Sequence, residues 1–187
     1  MRRWILLVVA IGSVALATRI AQSRARPRPL AHFGACDFDF PVGPPDAVGY
    51  YDAQPFGTNA HLGNDWNGNG GGDSDLGDPV FAIADGRVVA AGDLGGGWGR
   101  VVRVTHRCSL QHVEAIYAHF DAIEVEVGTL VARGARIGTI GTAGGQYPAH
   151  LHFELRTAIA RPIGEGYGEP VARQIDATAF IREHRPE

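Results

Sequence analysis

From His61 to Arg156 the chain is a succession of short apolar runs, each closed by glycine. No long stretch sustains the apolar period of a helix. Asp78-Pro79 leads into residues 80–84, Gly86 turns into 87–91, and the glycine loop 95–99 precedes 100–105. Residues 113–119 then read as the return strand of a hairpin, followed by runs at 123–127, 135–140 and 150–156. Short strands at regular spacing predict an all-β domain built on a mostly antiparallel sheet. The 26 glycines cluster in the turns between these runs, as strand connections require. The Pro41-Val42-Gly43-Pro44-Pro45 run excludes helix before the first histidine, and only residues 177–183 suit a short turn of helix.

The 187 residues allow one ordinary domain plus a leader. Arg2 and Arg3 precede an apolar run from Trp4 to Ala17, and Ala15-Leu16-Ala17 fits a small-x-small cleavage site. Residues 1–17 therefore read as a signal peptide or N-terminal anchor, being short of the roughly 20 residues of a full transmembrane helix. Residues 18–30 are an Arg/Pro-rich linker that can serve as a membrane tether, and 31–187 form the expected domain. Export to the periplasm or cell envelope follows, with an inner-membrane anchor if the leader is retained. All 17 basic residues are arginine, net charge is −3, and no basic patch is interleaved with aromatics, which argues against nucleic acid as a partner. A monomer is expected. Cys36 and Cys108 are the two cysteines and are plausible disulfide partners in an oxidising compartment, with two unpaired thiols as the alternative.

Chemistry concentrates in His150-Leu151-His152-Phe153-Glu154. On a strand Leu151 and Phe153 enter the core while His150 and His152 share the other face, roughly 7 Å apart. One ring can then bind a metal while the other reaches a water on it. Upstream, His61 and Asp65 lie four residues apart, and Gly63 between them argues against a helix. With His152 they make a nitrogen and oxygen set suited to one Zn²⁺ per chain, leaving a fourth position for water. Such a site lowers the pKa of water from about 16 toward about 7 and polarises a carbonyl. His119, at a strand end in Tyr117-Ala118-His119, could join His150 in accepting the proton and stabilising an oxyanion.

These motifs, His61-x-x-x-Asp65, Tyr117-Ala118-His119 and His150-Leu151-His152-Phe153-Glu154, resemble those of the M23 zinc metallopeptidases of lysostaphin and LytM type. The segments 78–86, 125–138 and 141–144 and the Ile175-Asp176 pair share that likeness, which covers about residues 60–181. The resemblance implies that His61, Asp65 and His152 are zinc ligands and that His119 and His150 are catalytic. It implies an antiparallel sheet with a loop-walled groove, in an enzyme that cleaves peptide crosslinks or bridges of bacterial peptidoglycan. Relatives that lack zinc ligands regulate peptidoglycan amidases instead; here all five positions are present. A lipoyl or biotinyl carrier, suggested by the Val-x-x-Gly pattern at 125–138, is excluded because the chain has no lysine to modify.

The chain departs from the minimal family pattern at residues 66–77, a longer segment carrying Asp73 and Asp75. Its oxygens do not follow a recognised Ca²⁺ spacing, so it reads as a flexible wall of the groove. His32, His106, His112 and His184 read as solvated or loop residues. Glu154 reads equally as a partner orienting a ligand histidine or as a strand-surface carboxylate. Tyr117, Trp66 and Trp98 have packing explanations as good as roles in the groove.

Overall fold

The computed structural model describes residues 36–109, 111–170 and 172–186. The leader at 1–17, the linker at 18–30 and His32 lie outside the described residues. The strands are β1 (Tyr50–Gln54), β2 (Asn64–Gly68), β3 (Pro79–Phe81), β4 (Gly86–Asp93), β5 (Arg100–Cys108) and β6 (Gln111–Ile123). They continue with β7 (Leu130–Val131), β8 (Arg136–Ile140), β9 (Leu151–Arg156) and β10 (Gln174–Ile175), before one short helix, α1 (Ala177–Glu183). One sheet joins them in the order β1-β2-β9-β6-β5-β4-β7, with β10 beside β9 and β8 between β3 and β6. Every pairing is antiparallel, so the expected fold class stands.

One expected strand is absent. The alternating Ile123-Glu124-Val125-Glu126-Val127 leaves the sheet after Ile123, and Val127 is 63% exposed. Pairing with β8 runs only as far as Ile123 opposite Gly138 and the Glu124 N–H on the Ile137 carbonyl (3.0 Å), beyond which the segment turns out toward solvent. Conversely β1 and β2 form from sequences with no apolar alternation. Trp66 of β2 is nearly fully buried and packs edge-on against Phe40.

β9 is the strand that positions the site. Leu151, Phe153 and Leu155 enter the main apolar core, whereas His152, Glu154 and Arg156 project from the opposite face, and all six are buried. A buried polar row needs partners. At one end Arg156 pairs with the buried Glu114 of β6 at 2.9 Å, and Arg103 of β5 closes on the same carboxylate. Glu114 also accepts the Ala160 N–H (2.8 Å), while Arg156 donates to the carbonyls of Arg161 (2.7 Å) and Pro162 (2.9 Å). This charge cluster fastens the segment after β9 over the polar face. A smaller apolar cluster of Val101, Ile116 and Ala118, with Trp98 and Ile163, fills the space beside it.

Cys36 and Cys108 are joined in a disulfide, with Cα atoms 4.6 Å apart. Constraining so long a loop in the unfolded chain is worth about 4 kcal/mol in the chain-entropy account. Asp176 caps α1 by accepting the Ala179 N–H, and Ala177 and Ile181 bury its inner face. Two histidines differ from expectation. His106 is fully buried on the inward face of β5, where its Nδ1–H donates to the Asp85 carbonyl and burial pushes its pKa down to about 4. His184 is half-buried, bonded to the Phe180 carbonyl and stacked on the Phe180 ring. Alternation on β5 and the packing of Phe38 against α1 account for these placements.

Candidate active site

The register of the sheet brings the metal-type residues together. Asp65 of β2 stands directly opposite His152 of β9, on the same face. His61 reaches them through a bend at Leu62-Gly63 that presses on β9. A Cβ on Gly63 would lie 2.7 Å from the Phe153 carbonyl and 2.9 Å from the His152 ring, so only glycine permits the approach. The atoms converge: His61 Nε2 to His152 Nδ1 is 3.0 Å, His152 Nδ1 to Asp65 Oδ1 is 2.9 Å, and His61 Nε2 to Asp65 Oδ1 is 3.4 Å. A tetrahedral ion with bonds of about 2.1 Å separates its donors by about 3.4 Å.

The outer nitrogens of both rings decide what the inner ones offer. His61 Nδ1 lies 3.0 Å from the Gln54 carbonyl, which only accepts, so this nitrogen carries the proton. His152 Nε2 lies 3.3 Å from the buried carboxylate of Glu154 and donates to it. Two imidazole lone pairs and a carboxylate oxygen then face one point. With both rings neutral these three acceptors leave one another unsatisfied; a cation satisfies all three, and the set fits Zn²⁺.

Charge reinforces the arrangement. Burial raises the pKa of Asp65, but hydrogen bonds and charge from His152 and His61 overcome this and hold it well below the usual carboxylate range. Burial depresses His152, yet hydrogen bonds and charge from Asp65 and Glu154 push it up to about 9. In chelator-treated protein the two shifts give opposite pH slopes. Asp65, lowered from 3.8, stabilises the fold above that pH and loses the contribution as pH falls. His152 stabilises fully below 6.5 and loses its contribution as pH rises through about 9. Thermal unfolding of zinc-free protein should therefore show a midpoint that declines between pH 6.5 and about 9; a flat midpoint there contradicts the pairing.

His119 and His150 complete the cluster. Their ring centroids are 4.6 Å apart, and His119 lies 5.5 Å from the His152 ring. His119 ends the pairing of β6 with β9 in the left-handed region (φ 67°), a conformation costing a non-glycine residue roughly 1–2 kcal/mol. Its Nδ1–H donates to the Trp98 carbonyl at 3.2 Å. Burial, with like charge on His152 and His150, pushes it down to about 3, so the ring is neutral at neutral pH. His150 donates from Nδ1 to the Pro148 carbonyl at 2.9 Å, which turns Nε2 toward the cavity, 3.8 Å from Asp65. Gly141 makes this crowding feasible, because a Cβ there would lie 2.5 Å from the His119 carbonyl.

All five expected site residues thus meet, His61, Asp65, His119, His150 and His152. Asp65 and the rings of His119, His150 and His152 line a cavity of about 380 Å³. Its walls are Gly97-Trp98, Tyr147-Pro148 and Glu165-Gly166-Tyr167, with Gln54 at the edge. Tyr167, whose ring lies 5.0 Å from His61 and whose hydroxyl bonds Gln54, has no signal in the sequence beyond a glycine-rich setting. Trp98 joins the wall and donates to the Gly164 carbonyl. Tyr117 is buried, its hydroxyl accepting the Ile83 N–H, and has a packing role. Residues 66–77 contribute nothing to the cavity lining, contrary to the expected groove wall. They are tied into the fold: buried Asp75 accepts the Gly68 N–H and Asp73 accepts the Ala149 N–H.

The sequence model of peptidase family M23 matches residues 60–171. Lipoprotein NlpD of Yersinia enterocolitica is 38% identical over 80 residues, which are 43% of this chain and 78% of that protein. Glycyl-glycine endopeptidase ALE-1 of Staphylococcus capitis is 34% identical over 109 residues, 57% of this chain and 28% of that one. Murein hydrolase activator NlpD of Escherichia coli is 36% identical over 80 residues, 43% of this chain and 20% of that one. The match thus spans under a third of each of the last two relatives. Among solved structures, the antimicrobial peptidase lysostaphin of Staphylococcus simulans superimposes with a TM-score of 0.57 at 25% identity, over 73% of this chain and 50% of lysostaphin. A zinc-containing peptidase from Vibrio cholerae shares the fold, with a TM-score of 0.52 at 23% identity over 80% of this chain and 41% of that one. On the match across residues 60–171, the chain belongs to peptidase family M23.

Proposed function

We propose that this chain is a zinc-dependent endopeptidase that hydrolyses peptide crosslinks or bridges of bacterial peptidoglycan. The carrying observation is the convergence of three ligand atoms from His61, Asp65 and His152, with Nε2 of His150 3.8 Å from Asp65. Bound by these three residues, Zn²⁺ supplies Lewis-acid polarisation of a scissile carbonyl and acidifies water. His150 is the proton carrier: its Nε2 takes a proton from the attacking water and returns it to the leaving amine. His119, whose Nδ1–H is held by the Trp98 carbonyl, presents its other ring nitrogen to accept a hydrogen bond that orients the water. Trp98, Tyr147 and Tyr167 hold an extended peptide across the cavity. The names of the glycyl-glycine endopeptidase and of lysostaphin support peptidase chemistry.

The same reading assigns 1–17 to a signal or anchor, 18–30 to a linker and 31–187 to the peptidase domain, exported to the envelope as a monomer. The lipoprotein name of one relative agrees with an envelope location. Among the described residues no helix is long and apolar enough to cross a membrane.

A second reading, a cell-wall-binding regulator that activates an amidase, is favoured by the name murein hydrolase activator. Digestion of purified peptidoglycan separates the two. The endopeptidase converts crosslinked muropeptides to monomers, and His150→Ala lowers that rate at least about hundredfold with zinc retained. Zinc-loaded protein that releases nothing, yet stimulates a separate amidase, establishes the regulator.

A further inference from the structure

The loop at 66–77 is connected to His150 through a single peptide group. Asp73 Oδ1 accepts the Ala149 N–H at 2.7 Å, a contact spanning 76 residues of sequence. The carbonyl of that same peptide unit, Pro148 O, accepts the Nδ1–H of His150 at 2.9 Å. In a trans peptide the N–H and C=O point to opposite sides, so the Asp73 carboxylate and the His150 ring face each other across one peptide plane. Asn67 steadies the next unit by donating from Nδ2 to the Ala149 carbonyl at 3.3 Å. Ala149 itself is fully buried. The loop is shaped for the contact: Gly71, Ser74 and Leu76 close successive turns on Gly68, Gly71 and Asp73, and Asp75 anchors the loop to Gly68.

We propose that Asp73 is a positioning residue for the hydrolysis assigned above, holding the Pro148–Ala149 peptide so that its carbonyl fixes the ring orientation and tautomer of His150. The inference rests on the endopeptidase reading, in which His150 carries the proton. A carboxylate accepting from one end of a peptide strengthens the acceptor at the other, because linked hydrogen bonds polarise one another. Without Asp73 the peptide can rotate, and His150 loses the carbonyl that holds its ring turned with Nε2 toward the cavity. Asp73 is an exposed residue and touches none of the metal-type side chains, so its removal leaves zinc binding and the fold in place.

The test compares wild type, Asp73→Ala and Asp73→Asn as zinc-loaded proteins acting on a purified crosslinked muropeptide dimer. Asp73→Ala should lose on the order of tenfold to hundredfold in kcat, with KM within about twofold and zinc unchanged. Asp73→Asn keeps an oxygen that accepts the same N–H and should recover to within about threefold of wild type. Hydrogen exchange at the Ala149 amide should accelerate in the alanine variant alone, and the His150 Nδ1–H resonance should weaken with it. A wild-type kcat in Asp73→Ala, an asparagine variant as impaired as alanine, or loss of zinc from either variant overturns the proposal. If wild type releases no muropeptide, the endopeptidase reading falls, and the Ala149 and His150 signals alone decide whether Asp73 positions the ring.

Discussion

His152→Ala should empty the metal centre and reduce release of muropeptide monomers by roughly a thousandfold or more, since Lewis-acid stabilisation is worth several kcal/mol and each 1.36 kcal/mol is tenfold. Two effects combine. The variant loses one of three converging donors, and it leaves the fully buried Glu154 without the N–H it accepts from His152. The remaining His61 and Asp65 make a set too small for a closed grip on zinc. Zinc stoichiometry by atomic absorption and chromatographic analysis of the digest measure both losses together. Digestion at the wild-type rate by a zinc-free His152→Ala protein sinks the metal mechanism.

Glu114→Ala should be the most destabilising single change outside the centre. Arg156 is fully buried, and Glu114 is the one carboxylate paired with it among the described ion pairs. Removing one partner of a buried pair typically costs about 3–5 kcal/mol, because the other charge stays desolvated and unmatched. In a chain of this size that lowers the melting temperature by roughly 10 °C. The Ala160 N–H loses its acceptor too, so the segment bearing Glu165 and Tyr167 loosens over the cavity. Urea denaturation reads the stability and peptide affinity reads the wall. A loss below about 1 kcal/mol shows that water reaches Arg156 and the cluster is not sealed.

The sequence revealed the sheet where its own chemistry alternates. β4, β5, β6, β8 and β9 all carry apolar residues between glycine turns, and the helix at residues 177–183 has its Asp176 cap. β1 and β2 escaped because Asn64-Asp65-Trp66-Asn67-Gly68 owes its strand form to the edge of β9, not to its own composition. The expected strand at 123–127 has sound alternation, but its pairing with β8 ends at Ile123 and Glu124, and Val127 is left exposed. At the site the five polar side chains were readable from motif spacing. What fixes their tautomers was not, because the acceptors at Gln54, Trp98 and Pro148 are main-chain carbonyls, and every residue type has one. The tie between Asp73 and Ala149 was hidden similarly, since only the folded register brings the two together.

The disulfide also determines how the domain bears mechanical load. Tension arriving along the backbone from residues before Cys36 crosses the sulfur bond into Cys108, at the end of β5. The enclosed stretch from 37 to 107, which contains His61 and Asp65, is bypassed. Cys108 pairs with Gln111 at one end of the hairpin, and His119 lies roughly 26 Å further along β6 at the rise of a strand. A load applied to the backbone at Cys36 would therefore pass through covalent bonds and the central hairpin. Two of the three ligands, His61 and Asp65, lie off that line, so traction need not spread the three donors apart.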